Sequence, residues 1–386
     1  MDELIMLPGP TAIPPEGLEA QSRQMIGHRE EAFSKLLVRV TENLKKVFFT
    51  ENDLLIFPAS GTGGLEIAIV NSFSPGDKVL SVTNGVFGQR FREIAKAYGV
   101  NVIELDFPWG EPCDYDKIEN FLGKYQDIKA VLFTHNETST GVQNDLQRMG
   151  EIIKEHDALL IVDAVSSLGG LPLYTDKWGV DMVITSSQKA LMTPPGLALV
   201  AVSPQAWRQI EQSTLPKFYW DLLKAKKYYE ESRQTPYTPA VSLLYALDQA
   251  LKLILKEGIE NVFKRHRVLT RALRRGMEKL GIKPFVPWEI ASYTVSSFYQ
   301  PEGIDFKDFK DHLVKKYKLH FAGGQGRLKD KIFRIGHMGY VNQEMILKTV
   351  ESIGSTLEDF NFKADKVSAL AETEKIISEE LSRNEL

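Results

Sequence analysis

The chain has 386 residues, 43% of them hydrophobic and 25% charged, with a formal net charge of -4. That is long enough for two domains and a sizeable core, and no basic block points to nucleic acid. The single cysteine, Cys113, excludes an internal disulfide and any thiolate-built zinc or iron–sulfur site, so no metal is expected. The acidic start Met1-Asp2-Glu3-Leu4, followed by Pro8, Pro10, Pro14 and Pro15, reads as neither a signal nor a transit peptide. Apolar runs are strand-sized, so the expectation is a cytoplasmic protein without a membrane association.

Short β-branched runs alternate with helical patterns from about residue 53 to 202. The predicted strands are 53–57, 78–82, 100–105, 129–134, 158–163, 181–185 and 197–202. Most are apolar throughout rather than alternating, as strands buried on both faces are. The pattern predicts a doubly wound α/β sheet, mostly parallel and seven-stranded. Strand 197–202 follows a Pro194-Pro195-Gly196 turn and can run antiparallel. An amphipathic helix over 146–155 is capped by Asn144 or Asp145.

Five segments of this region carry chemistry. After the first strand, Ala59-Ser60-Gly61-Thr62-Gly63-Gly64 opens a helix; small residues and a helix N-terminus suit an anion, although the turn fits neither the P-loop nor the dinucleotide fingerprint. The next strand ends in Thr83-Asn84-Gly85-Val86-Phe87, placing an aromatic where it can stack on a flat ring. Thr134-His135-Asn136-Glu137-Thr138-Ser139-Thr140-Gly141 forms a polar loop at a strand end, the usual position for ligand contacts. There Thr138 or Ser139 is a candidate hydrogen-bonding hydroxyl, and His135 is open between a catalytic group and a structural one. The strands ending in Asp163 and in Thr185-Ser186-Ser187-Gln188-Lys189 deliver a carboxylate and an amine to the same sheet edge.

After residue 240 the texture changes. Long helical patterns cover 240–256 and 259–280, then β-type pieces at 293–299, 319–321 and 331–335, with helices at 306–316 and 343–357. These predict a smaller C-terminal α+β domain. The predicted division is an N-terminal arm 1–20, a large domain 21–258 and a small domain 259–386, with a peripheral, partly frayed helix from about 364. Within it, Phe333-Arg334-Ile335-Gly336-His337 puts an arginine in an apolar strand, which is costly without a carboxylate partner. A substrate carboxylate can be that partner, held by two parallel hydrogen bonds.

A carboxylate at one strand end and an amine at another, beyond a glycine-rich anion cup, match the two working ends of pyridoxal phosphate (PLP). Lys189 would form the Schiff base and Asp163 would hold the pyridinium nitrogen.

The ordered motifs Leu7-Pro8-Gly9-Pro10-Thr11, Met25-Ile26-Gly27-His28-Arg29, Ser60-Gly61-Thr62-Gly63, Asn84-Gly85-Val86-Phe87-Gly88-Gln89-Arg90, Glu137-Thr138-Ser139-Thr140-Gly141, Asp163-Ala164-Val165-Ser166-Ser167, Ser187-Gln188-Lys189 and Arg334-Ile335-Gly336 resemble those of class V, fold-type I PLP aminotransferases. The resemblance is to the alanine–glyoxylate / serine–pyruvate group and spans nearly the whole chain. It implies that Lys189 is the catalytic lysine, with Asp163 on the ring nitrogen and Val165 and Phe87 on the ring faces. By the same resemblance Ser60, Gly61, Thr62 and Gln188 hold the phosphate, and Thr138 lies near the cofactor's O3' and the substrate. Arg334 clamps the substrate carboxylate, while Gly9 and the loop around Gly27-His28 border the substrate pocket. Thr238, in Tyr237-Thr238-Pro239, is implied to reach the phosphate of a second subunit, hence a homodimer with shared active sites. Two positions depart from the pattern: Phe87 stands where animal and plant members commonly have Trp, and Thr235 where the family often has Tyr.

The function this implies is ping-pong transamination of a small amino acid, alanine or serine, with glyoxylate or pyruvate. One alternative keeps the chemistry and changes the donor to a ureido or phosphono amino acid. Cysteine desulfuration is disfavoured because Cys113 lies early in the chain. A non-catalytic redox or hydrogenase accessory subunit is disfavoured because one cysteine supplies no nickel–iron or iron–sulfur ligand set.

Overall fold

The computed structural model describes residues 3–381. Its centre is a seven-stranded sheet in the order Asp53–Pro58, Leu197–Val202, Met182–Ser186, Leu159–Asp163, Ile128–Thr134, Lys78–Thr83, Asn101–Asp106. All neighbours are parallel except Leu197–Val202, which runs antiparallel to both its partners, as the preceding Pro-Pro-Gly turn anticipates. Successive side chains of each strand enter opposite cores. Val131, Phe133, Leu160 and Val162 point to one helical layer. Ala130, Leu132, Leu159 and Ile161 point to the other. This two-sided burial is why the strands read as unbroken apolar runs, and each fully buried Leu, Ile or Val contributes about 1.5–3 kcal/mol. The helix after Ile128–Thr134 begins at Leu146, and Asp145, not Asn144, caps it by accepting from Arg148 N.

Strand order reverses where the chain crosses from one side of the sheet to the other, and the carboxyl ends at Thr83, Thr134, Asp163 and Ser186 share one edge. Open α/β sheets bind ligands in that crevice.

A second unit is built on the antiparallel sheet Val295–Tyr299, Ile332–Gly336, Ala322–Gly323, over the core containing Phe298, Phe309, Phe321 and Phe333. The predicted strand around 319–321 does not join this sheet. Leu319 and His320 pair in parallel with Leu4 and Ile5, so the N-terminal residues are strapped to the second unit. Gly336 N donates to Met6 O at 2.8 Å, extending the strap.

The C-terminal helix expected from about residue 364 packs through its inner face. Helix Lys366–Leu381 buries Ala369, Thr373, Ile376 and Ile377 in the core that also holds Leu273 and Val350. Its spaced apolar residues form a packing stripe, while Val367 is 79% exposed on the other side. The frayed end expected beyond it falls on residues 382–386, outside the described residues. No helix among the described residues is long and apolar enough to cross a membrane.

Candidate active site

Lys189 follows Met182–Ser186 in a loop closed by Met192 N on Lys189 O and Thr193 N on Ser187 O. The Lys189 ammonium donates to the carbonyl of Pro8. Thr11 fixes the backbone around it: Thr11 N donates to Gln188 O at 3.1 Å and Thr11 Oγ1 to Lys189 O at 2.9 Å. Gly9 lies against the lysine side chain, and a Cβ there would sit 2.6 Å from both Cδ and Cε. Burial first, and then the Arg334 guanidinium, push the Lys189 amine down to about 8.

Asp163 ends its strand with 4% exposure. Its Oδ1 accepts one hydrogen bond, from Val165 N at 2.9 Å. Burial pushes this carboxyl up to about 7; the Glu137 charge adds to the rise, while Val165 N, Lys189 and Arg90 oppose it. A buried carboxylate so thinly partnered suits a cationic N–H brought by a ligand. Val165 packs its Cγ2 against Gly61, where a Cβ would approach to 2.8 Å.

Gly61 opens helix Gly61–Ser72, capped by Ser60 Oγ accepting from Gly63 N at 3.3 Å. The first helical N–H groups have no intrahelical partner and face the crevice end, an anion-binding arrangement. Thr62 Oγ1 accepts from Arg90 Nη1 at 3.4 Å. Nearby, Ser186 Oγ and Gln188 Oε1 are buried without a hydrogen-bond partner. An uncompensated carboxylate, an amine, a capped helix start and unpaired polar atoms together fit the ring nitrogen, aldehyde and phosphate of PLP.

Phe87 is held by its backbone, with Phe87 N donating to Glu137 Oε2 at 3.0 Å, and its ring carries the Arg90 guanidinium 4.7 Å from the centroid. Glu137 is a residue that sequence reasoning passed over. Fully buried, it accepts from Phe87 N, Gly88 N, Ser139 N and Ser139 Oγ. It thereby ties the Phe87 loop to the Thr138 loop. Gly85 fits against it, with no room for a side chain. Arg90 was also missed. It touches Thr62 and Phe87, and its charge acts on both Asp163 and Lys189.

Arg334 is 5% exposed. Its Nε donates to Gly323 O and its Nη1 to Thr138 O, each at 3.0 Å. Among the described residues no carboxylate forms an ion pair with it, so an internal salt bridge does not account for its burial. Its pKa is lowered to about 10 by burial, and its charge acts on Lys189. Thr138 Oγ1 donates to Ser166 Oγ at 2.6 Å, which leaves the Thr138 oxygen able to accept.

The remaining sequence candidates lie as follows. Beside Gly27 and His28, Arg29 ties its loop to the Thr238 segment, donating to Thr235 O at 2.6 Å and Pro236 O at 3.0 Å. Thr238 lines a narrow crevice with Phe57, Pro58 and Tyr219, next to the strand that leads into the cup. His337 is a buried structural group between Ser296 Oγ and Thr270 Oγ1. The His135 backbone bridges Asp163 O and Asn144 N and its ring packs on Trp178, while its Nδ1 is buried without a hydrogen-bond partner.

With this geometry in hand, comparison with known proteins is informative. An aminotransferase of Methanocaldococcus jannaschii is 47% identical, covering 98% of each chain. The L-aspartate–glyoxylate aminotransferase of Paracoccus denitrificans is 38% identical over 95% of this chain and 94% of its own. The ureidoglycine–glyoxylate aminotransferase structure from Bacillus subtilis superposes with a TM-score of 0.94 at 31% identity, covering 98% of each chain. The family model for class-V aminotransferases matches residues 16–325. The Lys189 amine and the Asp163 carboxylate thus stand at the edge of the central sheet in a chain that belongs to the class-V aminotransferases, fold-type I enzymes that use pyridoxal phosphate.

Proposed function

We propose that this aminotransferase moves the amino group of a small, uncharged donor, alanine or serine, to glyoxylate or pyruvate. The observation that carries the reading is the convergence of Lys189 and Arg334: a cation with no carboxylate partner whose field reaches the amine. Glyoxylate in the names of the Paracoccus and Bacillus relatives supports that acceptor. Their donors differ, so the donor is read from charge. Arg334 is one guanidinium available to a carboxylate. The other that acts on Lys189, Arg90, is already engaged with Thr62 and Phe87. A donor with one carboxylate fits that count better than a dicarboxylic one. The likeness to the Bacillus protein favours, as second reading, a ureido donor, which also needs one such clamp.

When bound, PLP supplies an aldehyde for bond exchange with amino groups and a ring that withdraws electrons. The chain does the rest. Arg334 orients the substrate through its carboxylate, and Thr138 O holds Arg334 in place. Lys189, with its amine lowered to about 8, has a neutral fraction near neutral pH, takes the α-proton of the amino acid and delivers it again on the far side of the exchange. Asp163 holds a proton on the ring nitrogen by its negative charge. Ser60, Gly61, Thr62 and Gln188 hold the phosphate. Val165 and Phe87 flank the ring. Gly9 leaves room for the lysine to swing. Thr238 completes the cup of a second subunit, which makes the working form a homodimer.

The test is a half-reaction screen. Each amino acid is mixed with the PLP-loaded enzyme, and loss of the visible absorption of lysine-bound cofactor is recorded. Alanine or serine is expected to react fastest. Faster reaction with aspartate or a ureido amino acid would overturn the donor assignment. Borohydride reduction of the resting enzyme is expected to fix the cofactor on Lys189 alone.

A further inference from the structure

Behind the Glu137–Thr138 loop lies a cleft of about 490 Å³ that none of the proposed site residues lines. His135, Tyr115, Trp178 and Tyr293 bring aromatic surface to it, and Asp145 and Glu289 bring carboxylates; no lysine or arginine lines it. His135 is 1% exposed, yet its ring makes no hydrogen bond: Nδ1 is buried without a partner, and the ring packs edge-on against Trp178 at 6.4 Å. Buried polar atoms are ordinarily paired, and an unpaired one at a cleft wall points to a missing ligand. Burial pushes this imidazole down to about 3, so at neutral pH it is uncharged and one of its nitrogens can accept a hydrogen bond.

The charges around the cleft agree in sign. Asp145 caps its helix through Arg148 N, leaving the carboxylate charge in place. Glu289 has Arg274 as the cation it acts on, and Arg274 is buried against the Trp288 ring. Arg148 pairs loosely with Asp116, at 3.6 Å. Aromatic faces under a negative field attract cations with an apolar body.

We propose that this cleft is a binding site for a small protonated amine on an aromatic or apolar body, with its N–H on the His135 imidazole and its charge facing Asp145 and Glu289. It is joined to the active site without being part of it. His135 N donates to Asp163 O at 3.0 Å, and Asn144 in the cleft wall pairs with Asn84, which leads into the Phe87 loop.

The probe is N,N-dimethylbenzylamine, a tertiary amine that is protonated at neutral pH and cannot bond the cofactor aldehyde. Titrated calorimetrically into PLP-loaded enzyme, it is expected to bind saturably, more weakly as salt is raised, and better than its uncharged isostere isobutylbenzene. Glu289→Gln is expected to weaken it roughly two- to fivefold, as for a partly exposed charge. His135→Phe is expected to weaken it roughly fivefold or more through loss of the acceptor. Glu289 is at the surface, so its variant tests the site even if the His135 variant folds poorly. Absence of saturable binding, equal binding of isobutylbenzene, or an affinity that Glu289→Gln leaves unchanged overturns the proposal. The readout is binding alone, so it stands or falls apart from the donor assignment above.

Discussion

The Lys189 ammonium is hydrogen-bonded to the carbonyl of Pro8, 181 residues away in sequence. The residue after Pro8 is a glycine at φ +114° whose Cα lies against that lysine's chain. Gly9→Ala therefore meets two penalties, a left-handed backbone and a collision with Lys189 Cδ and Cε. Because misplacing a reacting group by about 1 Å can cost roughly 10²-fold, kcat is expected to fall by about that factor. Steady-state kinetics alongside the melting temperature check this: a variant equally active and equally stable would remove Gly9 from the pocket.

Asp163 makes a prediction about pH. Its carboxyl titrates near 7 in the folded chain and near 3.9 when unfolded, so between those values the folded state binds the extra proton. The Asp163 contribution to the cofactor-free enzyme is thus most favourable below pH 4 and is lost as pH rises through 7. Buried His135 and His337, pushed down to about 3, act in the opposite sense, favouring the fold above 6.5. Asp163→Asn isolates the first effect. The melting-temperature difference between variant and wild type is expected to favour the variant increasingly from pH 4 to 7. A pH-independent difference would mean that Asp163 does not titrate there. With cofactor bound, the same variant is expected to slow the half-reaction by orders of magnitude.

Arg334→Ala is expected to raise KM for α-carboxylate substrates, the lost charge-assisted pair costing roughly 2–5 kcal/mol. Ethanolamine, which has no carboxylate to place, is expected to lose little in the half-reaction. Equal losses for both would assign Arg334 to holding Gly323 and Thr138 rather than substrate.

The proposed sharing of active sites between subunits predicts complementation. On that proposal Thr238→Glu is expected to set a negative charge against the phosphate of the neighbouring subunit's cofactor, and Lys189→Ala to disable its own subunit. Each variant alone is expected to be inactive. Unfolded and refolded together, they form mixed dimers in which one site carries both lesions and the other neither, so activity is expected to return. A mixture that stays inactive, with mixed dimers present by native mass spectrometry, counts against Thr238 acting across the interface.

The sheet was legible because its strands are buried on both faces and so stand out as apolar runs between turns. The residues at their carboxyl ends, Asp163 and Lys189, were legible for the same reason. Arg334 stood out because a cation in an apolar strand needs a cause. Less could be read where function depends on partners distant in the chain. Glu137 looks like one polar residue among eight until the Phe87 and Gly88 amides arrive from another loop. Arg90 is one charge on an amphipathic helix until Thr62 comes within reach. Leu4 and Ile5 form too short a strand to show any period, so their pairing with Leu319 and His320 has no local signal. In the closing helix the spaced apolar residues are visible in the sequence, but the core they pack on is not, because Leu273 and Val350 lie far away in the chain.

That short pairing has a mechanical consequence. Leu4 and Ile5 are bonded to Leu319 and His320, and Met6 to Gly336, two residues from Arg334. The carbonyl that accepts from the amine of Lys189 and the guanidinium of Arg334 are therefore anchored to the same small sheet. Because Thr11 also ties this stretch to the backbone at Gln188 and Lys189, one short run of chain fixes the amine, its carbonyl partner and the strand of Arg334 in a single register.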